Sequence, residues 1–267
     1  MDYFINWTQI NLMRKERCRS GWTGRSRKPF LDGNRDEGSN PSLSATSQTR
    51  PPSKKHANKF TLQDISVLIT VLRHFHPIGE DIEDYFKQHA YPSSFAKGDL
   101  LLSSGNRCEH LHFIRKGAVR GFVKEGNKDI TTWITAENEI VSSIYGLYSK
   151  QPPIENIQAI EDCEVLSMSI SDLENLYVRF PEFNLVARKL LERYYVDAEE
   201  RAFIARLTNA ENKYSLFLTR YEHLSNRIPL KYIASFLGMT LETLSRVRKR
   251  LSMKTNRPAT TGSSTNA

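Results

Sequence analysis

The segment Pro229–Leu251, PLKYIASFLGMTLETLSRVRKRL, combines apolar residues at helical spacing with a central glycine and a cluster of arginines. Glu242 and Arg246 lie four residues apart, so a helix would place both on one face. On such a face an arginine can donate two hydrogen bonds to guanine, and a glutamate can accept one from cytosine. The types and spacing of these residues therefore favour recognition of base edges in DNA over a broken amphipathic helix inside a core.

Two helices that meet across a short turn would position that face. Ala234 supplies the small residue at the crossing, and Gly238 supplies the positive φ that the turn needs. Pro229 suits the first turn of the first helix, and Thr240 suits the N-cap of the second. The inward positions are apolar: Ile233, Leu237, Met239, Leu244 and Val247. We therefore predict a helix-turn-helix, whose structural positions are Ala234, Gly238, Leu244 and Val247.

The outward residues of this helix pair divide by the chemistry that they offer. Contacts to bases are predicted for Thr240, Glu242, Thr243, Ser245 and Arg246. Contacts to phosphates, which orient a protein on DNA without reading the sequence, are predicted for Lys231, Arg248, Lys249, Arg250 and Lys254. The alternative for the cations is that they only keep the surface soluble.

Charge is distributed unevenly along the chain of 267 residues, whose formal net charge is +8. Residues 1–60 hold 12 Lys and Arg against 5 Asp and Glu, residues 61–200 hold 14 against 22, and residues 201–267 hold 12 against 3. A basic C-terminal block behind an acidic middle is typical of a nucleic-acid-binding segment attached to a sensor or assembly domain. The helix pair lies in that basic block.

The first 60 residues lack helical or strand periodicity and are rich in Arg, Ser, Asn, Gly and Pro, a composition typical of disorder. The peptide EGSNPS, Glu37–Ser42, can be encoded by a self-complementary string that resembles the T arm of a transfer RNA gene. We therefore interpret residues 1–60 as a disordered basic tail upstream of the true translation start, near Leu62 or Val67. The alternative is a basic arm that contacts phosphates.

The middle of the chain changes to short alternating apolar runs, after two helical patterns that begin at Ile65. Glycines separate these runs at spacings of about 7–12 residues, which indicates an all-β sandwich or barrel. The sequence KEGNKDITTW reads as a hairpin with Gly126 and Asn127 at its tip. Strands are predicted at Leu100–Leu102, Leu111–Ile114, Val119–Val123, Ile130–Ile134, 154–160 and 164–169.

The run FAKGDLLLSSGNRCEHLHFIRKGAVRGFV, Phe95–Val123, resembles the β-roll of the cyclic-nucleotide-binding fold in Crp/Fnr-type bacterial transcription regulators. The phrases KGDLLLSSG and HFIRKGAVR carry the resemblance, which extends from about Val71 to Lys254. It implies an α+β fold: an N-terminal double-stranded β-helix (β-roll or jelly roll), a long dimerisation helix and a C-terminal helix-turn-helix domain. It also implies an E-x-x-x-R pair for reading bases, which Glu242 and Arg246 match.

The resemblance includes a departure at the ligand site. Members that bind cyclic AMP hold its ribose with a Gly-Glu pair and its phosphate with an Arg-Ser pair. Here the glutamate position falls on Ser143 and the arginine position on Pro153. Because proline offers a phosphate neither a charge nor an N–H, we predict no tight binding of cyclic AMP. A pocket for another effector is predicted at Trp133, Ser143, Tyr145, Tyr148, Asn156 and Gln158; the alternative is that these residues only pack the roll.

A long helix is predicted from Pro181, before the C-terminal domain. Its apolar residues recur at spacings of three and four, as in the seam between two paired helices. They are Phe183, Val186, Leu190, Tyr194, Ala198, Ala202 and Ala205. We interpret this element as a dimerisation helix, as the resemblance implies, and the alternative is a helix that lies on its own domain. Ser171 and Thr208 are predicted to cap the helices that follow them.

Other functional classes lack the residues that they require. Cys18, Cys108 and Cys163 are too few and too far apart for a zinc ribbon or an iron–sulfur cluster. His110 and His112 have the H-x-H spacing of cupin metal enzymes, but the glutamate that should follow is missing, so we predict neither a metal site nor an enzyme. No window reaches the roughly 18 apolar residues of a membrane span, and the first residues lack a secretory signal. We therefore predict a cytoplasmic protein without a cofactor.

These observations give a domain plan: residues 1–60 as the disordered tail, 61–180 as the β-roll sensor, 181–207 as the dimerisation helix, 208–258 as the helix-turn-helix domain and 259–267 as a second disordered tail. The predicted function is a sequence-specific transcription regulator of the Crp/Fnr type. It would bind a pseudo-palindromic operator in double-stranded DNA as a homodimer, with RNA polymerase as a further partner and no membrane contact. The alternative is a ligand-sensing β-roll that acts mainly through a protein partner and binds DNA weakly.

Overall fold

Short antiparallel strands build the N-terminal half of the fold. The computed structural model describes the backbone of residues 62–255 and the side chains of residues 65–253. The predicted tails, 1–60 and 259–267, lie outside these residues. Eight strands are described: β1 Tyr91–Phe95, β2 Leu100–Leu102, β3 His110–Lys116, β4 Val119–Glu125, β5 Lys128–Thr135, β6 Ile140–Val141, β7 Glu155–Ala159 and β8 Cys163–Ser169.

The strands form two four-stranded sheets in which every pair is antiparallel. The first sheet has the order β1-β8-β3-β6, and the second has the order β2-β7-β4-β5. Since successive strands alternate between the sheets along much of the chain, the two sheets wind into a roll. The predicted combination of a β-roll with helices is confirmed.

The predicted hairpin is confirmed as β4–β5. Glu125 pairs with Lys128, which leaves Gly126 and Asn127 as a two-residue turn, and Gly126 has a φ of 57°. A positive φ in such a turn matches the twist of the flanking strands. The strand β2 has the predicted bounds, whereas β1 and β6 were not predicted.

Within residues 62–255, eight α-helices accompany the roll: α1 Leu62–Phe75, α2 Glu80–His89, α3 Ile144–Ser149, α4 Ile170–Arg179, α5 Phe183–Arg206, α6 Ala210–Tyr221, α7 Leu230–Phe236 and α8 Leu241–Thr255. Helices α1, α2 and α4 and the start of α5 share one apolar cluster with the first sheet. This cluster includes Leu72, Phe86, Phe113, Leu176 and Val186, all almost fully buried. The start of the long helix is therefore fixed on the roll of its own chain.

A second apolar cluster joins the C-terminal helices, α6 to α8, to the roll. Its helical members include Phe217, Ile233 and Leu244, which are fully buried. Ala118, Ile134, Ala136 and Ile160 of the roll belong to the same cluster. The C-terminal helices thus complete their core with roll residues. All described residues fall into one compact unit.

The interior of the roll forms a third cluster between the two sheets. Ile114, Val119, Ile157 and Val165 are its most buried members. The indole ring of Trp133 covers the backbone of Gly121 so closely that a Cβ added there would lie 2.2 Å from the ring. The absence of a side chain at position 121 is therefore what lets the tryptophan lie inside the roll.

Candidate functional site

The connection between α7 and α8 is a tight turn closed by backbone hydrogen bonds. The N–H of Gly238 donates to the Ser235 carbonyl at 3.1 Å, and the N–H of Met239 donates to the Ala234 carbonyl at 3.0 Å. Gly238 has a φ of 60°, a conformation that favours glycine. Ala234 is buried beneath the turn, at 3% exposure. Ala234 therefore lies beneath the turn, and Gly238 lies within it.

Helix α8 begins with a side-chain cap and is anchored through one face. The N–H of Thr243 donates to Oγ1 of Thr240 at 3.2 Å, so Thr240 fills the predicted N-cap position. Leu244 is fully buried and Val247 is 5% exposed, and both pack into the cluster of the C-terminal helices. This anchor turns the opposite face of α8 towards solvent.

The predicted base-contacting residues lie on that outer face, which we call the reading face: Thr240, Glu242, Thr243, Ser245 and Arg246. All are exposed except Thr243, which is half-buried. Hydrogen bonds from the backbone N–H of Glu242 and from the Thr240 hydroxyl lower the pKa of the Glu242 carboxyl, and the Arg246 guanidinium lowers it further. Glu242 is therefore an anionic acceptor beside a permanent cation, at the N-terminal end of the helix.

The predicted phosphate-contacting residues lie on both helices of the pair. Lys231, Lys249 and Arg250 are exposed and Arg248 is half-buried, whereas the side chain of Lys254 lies outside the described residues. Arg250 donates to Glu211 of α6 at 2.6 Å. This ion pair orients Arg250 along the C-terminal helices and partly neutralises its charge.

A charged clamp fastens the C-terminal helices to the roll. Arg227, in the segment between α6 and α7, binds the carboxylate of Glu137 through two nitrogens at 2.7 and 2.9 Å and the carboxylate of Glu161 at 2.6 Å. Burial alone would raise the pKa of Glu137, but hydrogen bonds from Arg227 and from the N–H of Gly117 lower it to about 2. Sequence analysis did not single out these three residues, because 90 positions separate Glu137 from Arg227.

A second contact attaches α7 to the outer face of the β4–β5 hairpin. The hydroxyl of Ser235 donates to the Asp129 carbonyl at 3.0 Å and accepts from the N–H of Thr131 at 2.9 Å. The guanidinium of Arg120, which is 2% exposed, stacks on the ring of Tyr232 with 3.9 Å to the centroid. The hairpin edge and the first helix of the pair are thus joined by directional bonds.

The part of the roll next to α3 contains a carboxylate that sequence analysis missed. Glu155 accepts from the Ser143 hydroxyl at 2.6 Å and from the indole N–H of Trp133 at 3.1 Å. Ser143 is fully buried and caps α3 by accepting from the N–H of Gly146. Two of the predicted pocket residues, Trp133 and Ser143, are therefore brought together, with an acidic side chain between them.

The other predicted pocket residues do not join this group. Tyr145 and Tyr148 are 58% and 53% exposed, because they lie on the outer side of α3. Asn156 and Gln158 lie on the face of β7 opposite to Glu155, since side chains alternate along a strand. Asn156 accepts from the N–H of Ser104, and Gln158 accepts from Arg120. The predicted pocket is thus divided between three surfaces.

The apolar stripe predicted for dimerisation divides between two surfaces of α5. Phe183 and Val186 are buried against the helices of their own chain, at 4% and 0% exposure, and Leu190 is half-buried. The hydroxyl of Tyr194 accepts from the N–H of Ile140 in the roll at 3.1 Å. This half of the stripe follows the alternative, a helix on its own domain. Ala198 and Ala205 are exposed and Ala202 is half-buried.

The two histidines of the H-x-H motif are neighbours on one face of β3, as their alternation predicted. Their ring centroids are 6.2 Å apart. Nδ1 of His112 lies 2.8 Å from the Ser167 hydroxyl, and burial lowers the pKa of His112 to about 4. Among the described residues, no group of three or more His, Cys, Asp and Glu is arranged to hold a metal ion.

Comparison with known proteins gives one family match, in the central part of the chain. Residues 92–180 match the family model of the cyclic nucleotide-binding domain. No curated protein matches the sequence significantly. None of the helices between residues 62 and 255 combines the length and the apolar character that a bilayer span requires.

Several solved structures share the fold. FixK2 from Bradyrhizobium japonicum has a TM-score of 0.55 and 21% identity, over 62% of this chain and 86% of that one. The c-di-GMP-responsive global regulator CLP from Xanthomonas campestris has a TM-score of 0.54 and 14% identity, over 66% and 93%. A CooA mutant from Carboxydothermus hydrogenoformans has a TM-score of 0.54 and 17% identity, over 70% and 84%.

The charged clamp gives a prediction about acid stability. Arg227→Met should lower the melting temperature at pH 7 by roughly 2–4 °C, because it removes charge-assisted bonds worth about 1 kcal/mol. The pKa of Glu137 lies at about 2 in the folded chain, below its ordinary 4.5. The stabilisation is therefore fully present above pH 4.5 and is lost as the pH falls towards 2. Thermal melts between pH 7 and pH 3 should show the difference between wild type and variant shrinking with acid.

Arg73→Met is the matched control, because Arg73 of α1 and Glu83 of α2 form a partly exposed ion pair at 2.9 Å, away from the clamp. A pair of this kind contributes little to stability, so this variant should melt close to wild type at every pH. An Arg227→Met variant that melts like wild type at pH 7 would show that the clamp does not stabilise the fold.

Proposed function

We propose that this protein is a sequence-specific DNA-binding transcription regulator that acts as a homodimer on a pseudo-palindromic operator. The observation that carries the proposal is the reading face of α8. It is turned to solvent by the buried Leu244 and Val247, and it displays an anionic Glu242 beside Arg246. A helix with polar side chains on its outer face and a small-residue crossing behind it fits the major groove of DNA.

The reading face offers two kinds of base contact. Arg246 presents a planar group with several donors, which matches the two acceptors of guanine, and Glu242 accepts from the amino group of cytosine. Lys231, Arg248 and Lys249 offer cations for contacts with phosphates, which would orient the protein on DNA. The Thr240 hydroxyl already caps the helix, so its role is to fix the start of α8 as well as to approach a base.

The exposed face of α5 supports the homodimer. Leu191, Tyr195, Ala198, Ala202 and Ala205 follow one another at spacings of four and three, which is the period of a paired-helix seam. Tyr195 is 67% exposed, so a partner helix could cover its ring. This seam keeps the predicted Ala198, Ala202 and Ala205 and replaces Leu190 and Tyr194 with the residues one position later. Two copies paired along it would present two reading faces related by a two-fold axis.

We propose that the roll acts without cyclic AMP. Three features oppose a bound phosphate: the Glu155 carboxylate beside Ser143, the buried Pro153 without an N–H, and Trp133 lying over Gly121. An anionic phosphate would meet the negative charge of Glu155, which is costly inside a protein. No iron–sulfur cluster or other cofactor enters the proposal. The regulator would act in the cytoplasm by recruiting or obstructing RNA polymerase.

Selection of bound DNA from a random pool tests the proposal. The full chain should enrich a pseudo-palindromic motif, and the absence of any enriched motif would favour the alternative of a roll that acts through a protein partner.

Arg246→Ala should cost roughly 1–3 kcal/mol at one base position and relax specificity there, because it removes a direct base contact. Lys249→Ala is the matched control: it should weaken binding to all sequences about equally. If Arg246→Ala instead lowers the affinity for all sequences equally, Arg246 contacts a phosphate and not a base.

The seam predicts a specific effect on assembly. Tyr195→Glu places a negative charge on the two-fold contact, so the variant should be monomeric at concentrations at which the wild type is dimeric. Val196→Glu is the control, since Val196 is also exposed but points away from the seam. Light scattering coupled to size exclusion measures both masses. Dimers that tolerate Tyr195→Glu but dissociate with Val196→Glu would place the contact on another face of α5.

The roll predicts independence from cyclic AMP. Titration calorimetry with the full chain should detect no saturable binding of the nucleotide, and the affinity for the selected operator should be unchanged in its presence. The physical reason is that Glu155 occupies the hydrogen-bonding groups at Ser143 and Trp133. A clear shift in operator affinity on addition of cyclic AMP would contradict this part of the proposal.

A further inference from the structure

Lys213 is a buried cation without an acidic partner in its hydrogen bonds. The residue is 7% exposed and lies in the first turn of α6. Its ammonium donates to the carbonyl of Ala205 at 3.1 Å and to the carbonyl of Leu237 at 2.8 Å. A buried ammonium is costly to place unless its donors are satisfied, so these two bonds determine where it can lie.

Both acceptors are carbonyls at the ends of helices. Ala205 is the penultimate residue of α5, and Leu237 is the C-cap of α7. The last carbonyls of a helix lack partners within the helix, and they carry the negative end of its dipole. One ammonium therefore satisfies the ends of two helices and holds them together.

The bond to Leu237 reaches the turn that leads into α8. Leu237 directly precedes Gly238, and a Cβ added to Gly238 would lie 3.6 Å from the Lys213 ammonium. Arg220 also links α6 to α5, through Asp197 and Glu200, but these bonds lie on the body of α5. Lys213 thus connects the end of α5 to the turn itself.

The geometry points to Lys213 as a positioning residue: it couples the end of α5 to the turn before α8 and so sets the distance between the two reading faces of a dimer. The inference rests on the proposed function, in which α5 lies along the two-fold axis and α8 enters DNA. In that arrangement the ammonium is a short link between the axis and the reading helix. Loss of the link would let each reading helix move relative to the axis without removing a DNA contact.

Half-site spacing measures this coupling directly. The selected operator is compared with two versions whose half-sites are one base pair closer or one base pair further apart, with the full chain in each assay. Wild type should prefer the selected spacing on the order of tenfold, the size of ordinary coupling between sites. Lys213→Met should reduce this preference to less than about threefold, because a thioether cannot donate to the two carbonyls.

Lys189→Met is the matched control, because the ammonium of Lys189 also donates to a helix-end carbonyl, that of Phe75 at 2.9 Å, far from the turn. It should keep the wild-type preference. A folded Lys213→Met variant with the wild-type preference would overturn the inference, and so would an equal loss in Lys189→Met. If Lys213→Met gives no cooperative melt, Lys213→Gln, whose shorter side chain cannot span both carbonyls, is judged by the same criterion. Failure of the wild type to bind any operator would remove the proposed function and this inference together.

Discussion

The C-terminal helices complete their hydrophobic core with side chains of the roll, and the position of the reading face depends on this shared packing. Ala118, Ile134, Ala136 and Ile160 meet the cluster that holds α6, α7 and α8. Burial of a large apolar side chain contributes about 1.5–3 kcal/mol to the free energy of unfolding. Separation of the C-terminal helices from the roll would therefore remove a substantial share of the total stability. Apolar packing is not directional, however, and it does not by itself fix an orientation. The hydrogen bonds of the Arg227 clamp, and those between Ser235 and the β4–β5 hairpin, fix the orientation of the C-terminal helices on the roll.

Features with local sequence signals could be predicted closely. The hairpin turn at Gly126 and Asn127, the cap at Thr240 and the positive φ of Gly238 each depend on a few neighbouring residues. Helix caps for which several neighbouring side chains compete could not be predicted. Ser169 rather than Ser171 accepts from the N–H of Asp172, and Asn209 rather than Thr208 accepts from the N–H of Asn212. Helix starts shift by one or two residues because several side chains can accept the same orphan N–H groups.

Features that depend on distant residues could not be predicted from the sequence. The apolar stripe on α5 predicted that the helix has an apolar face. The spacing of its residues does not predict which surface covers that face. In the structure Val186 faces its own chain, whereas Ala198 is exposed. Glu155 was missed for a similar reason, because its contact with Trp133 depends on strand register. Strand β1, Tyr91–Phe95, has the sequence YPSSF, which lacks the apolar alternation that marks a half-buried strand.

The second sheet packs the interior of the roll with one face and contacts the helix pair with the other. Neighbouring residues of strand β4 take part in both contacts. Gly121 faces inwards and lies under the ring of Trp133, whose N–H is held by Glu155. Its neighbour Arg120 faces outwards, where its guanidinium lies between the rings of Phe122 and Tyr232. Because neighbouring side chains of a strand point to opposite faces, one peptide unit separates the closed interior of the roll from the helix pair. Trp133 and Tyr232 therefore contact neighbouring residues of one strand.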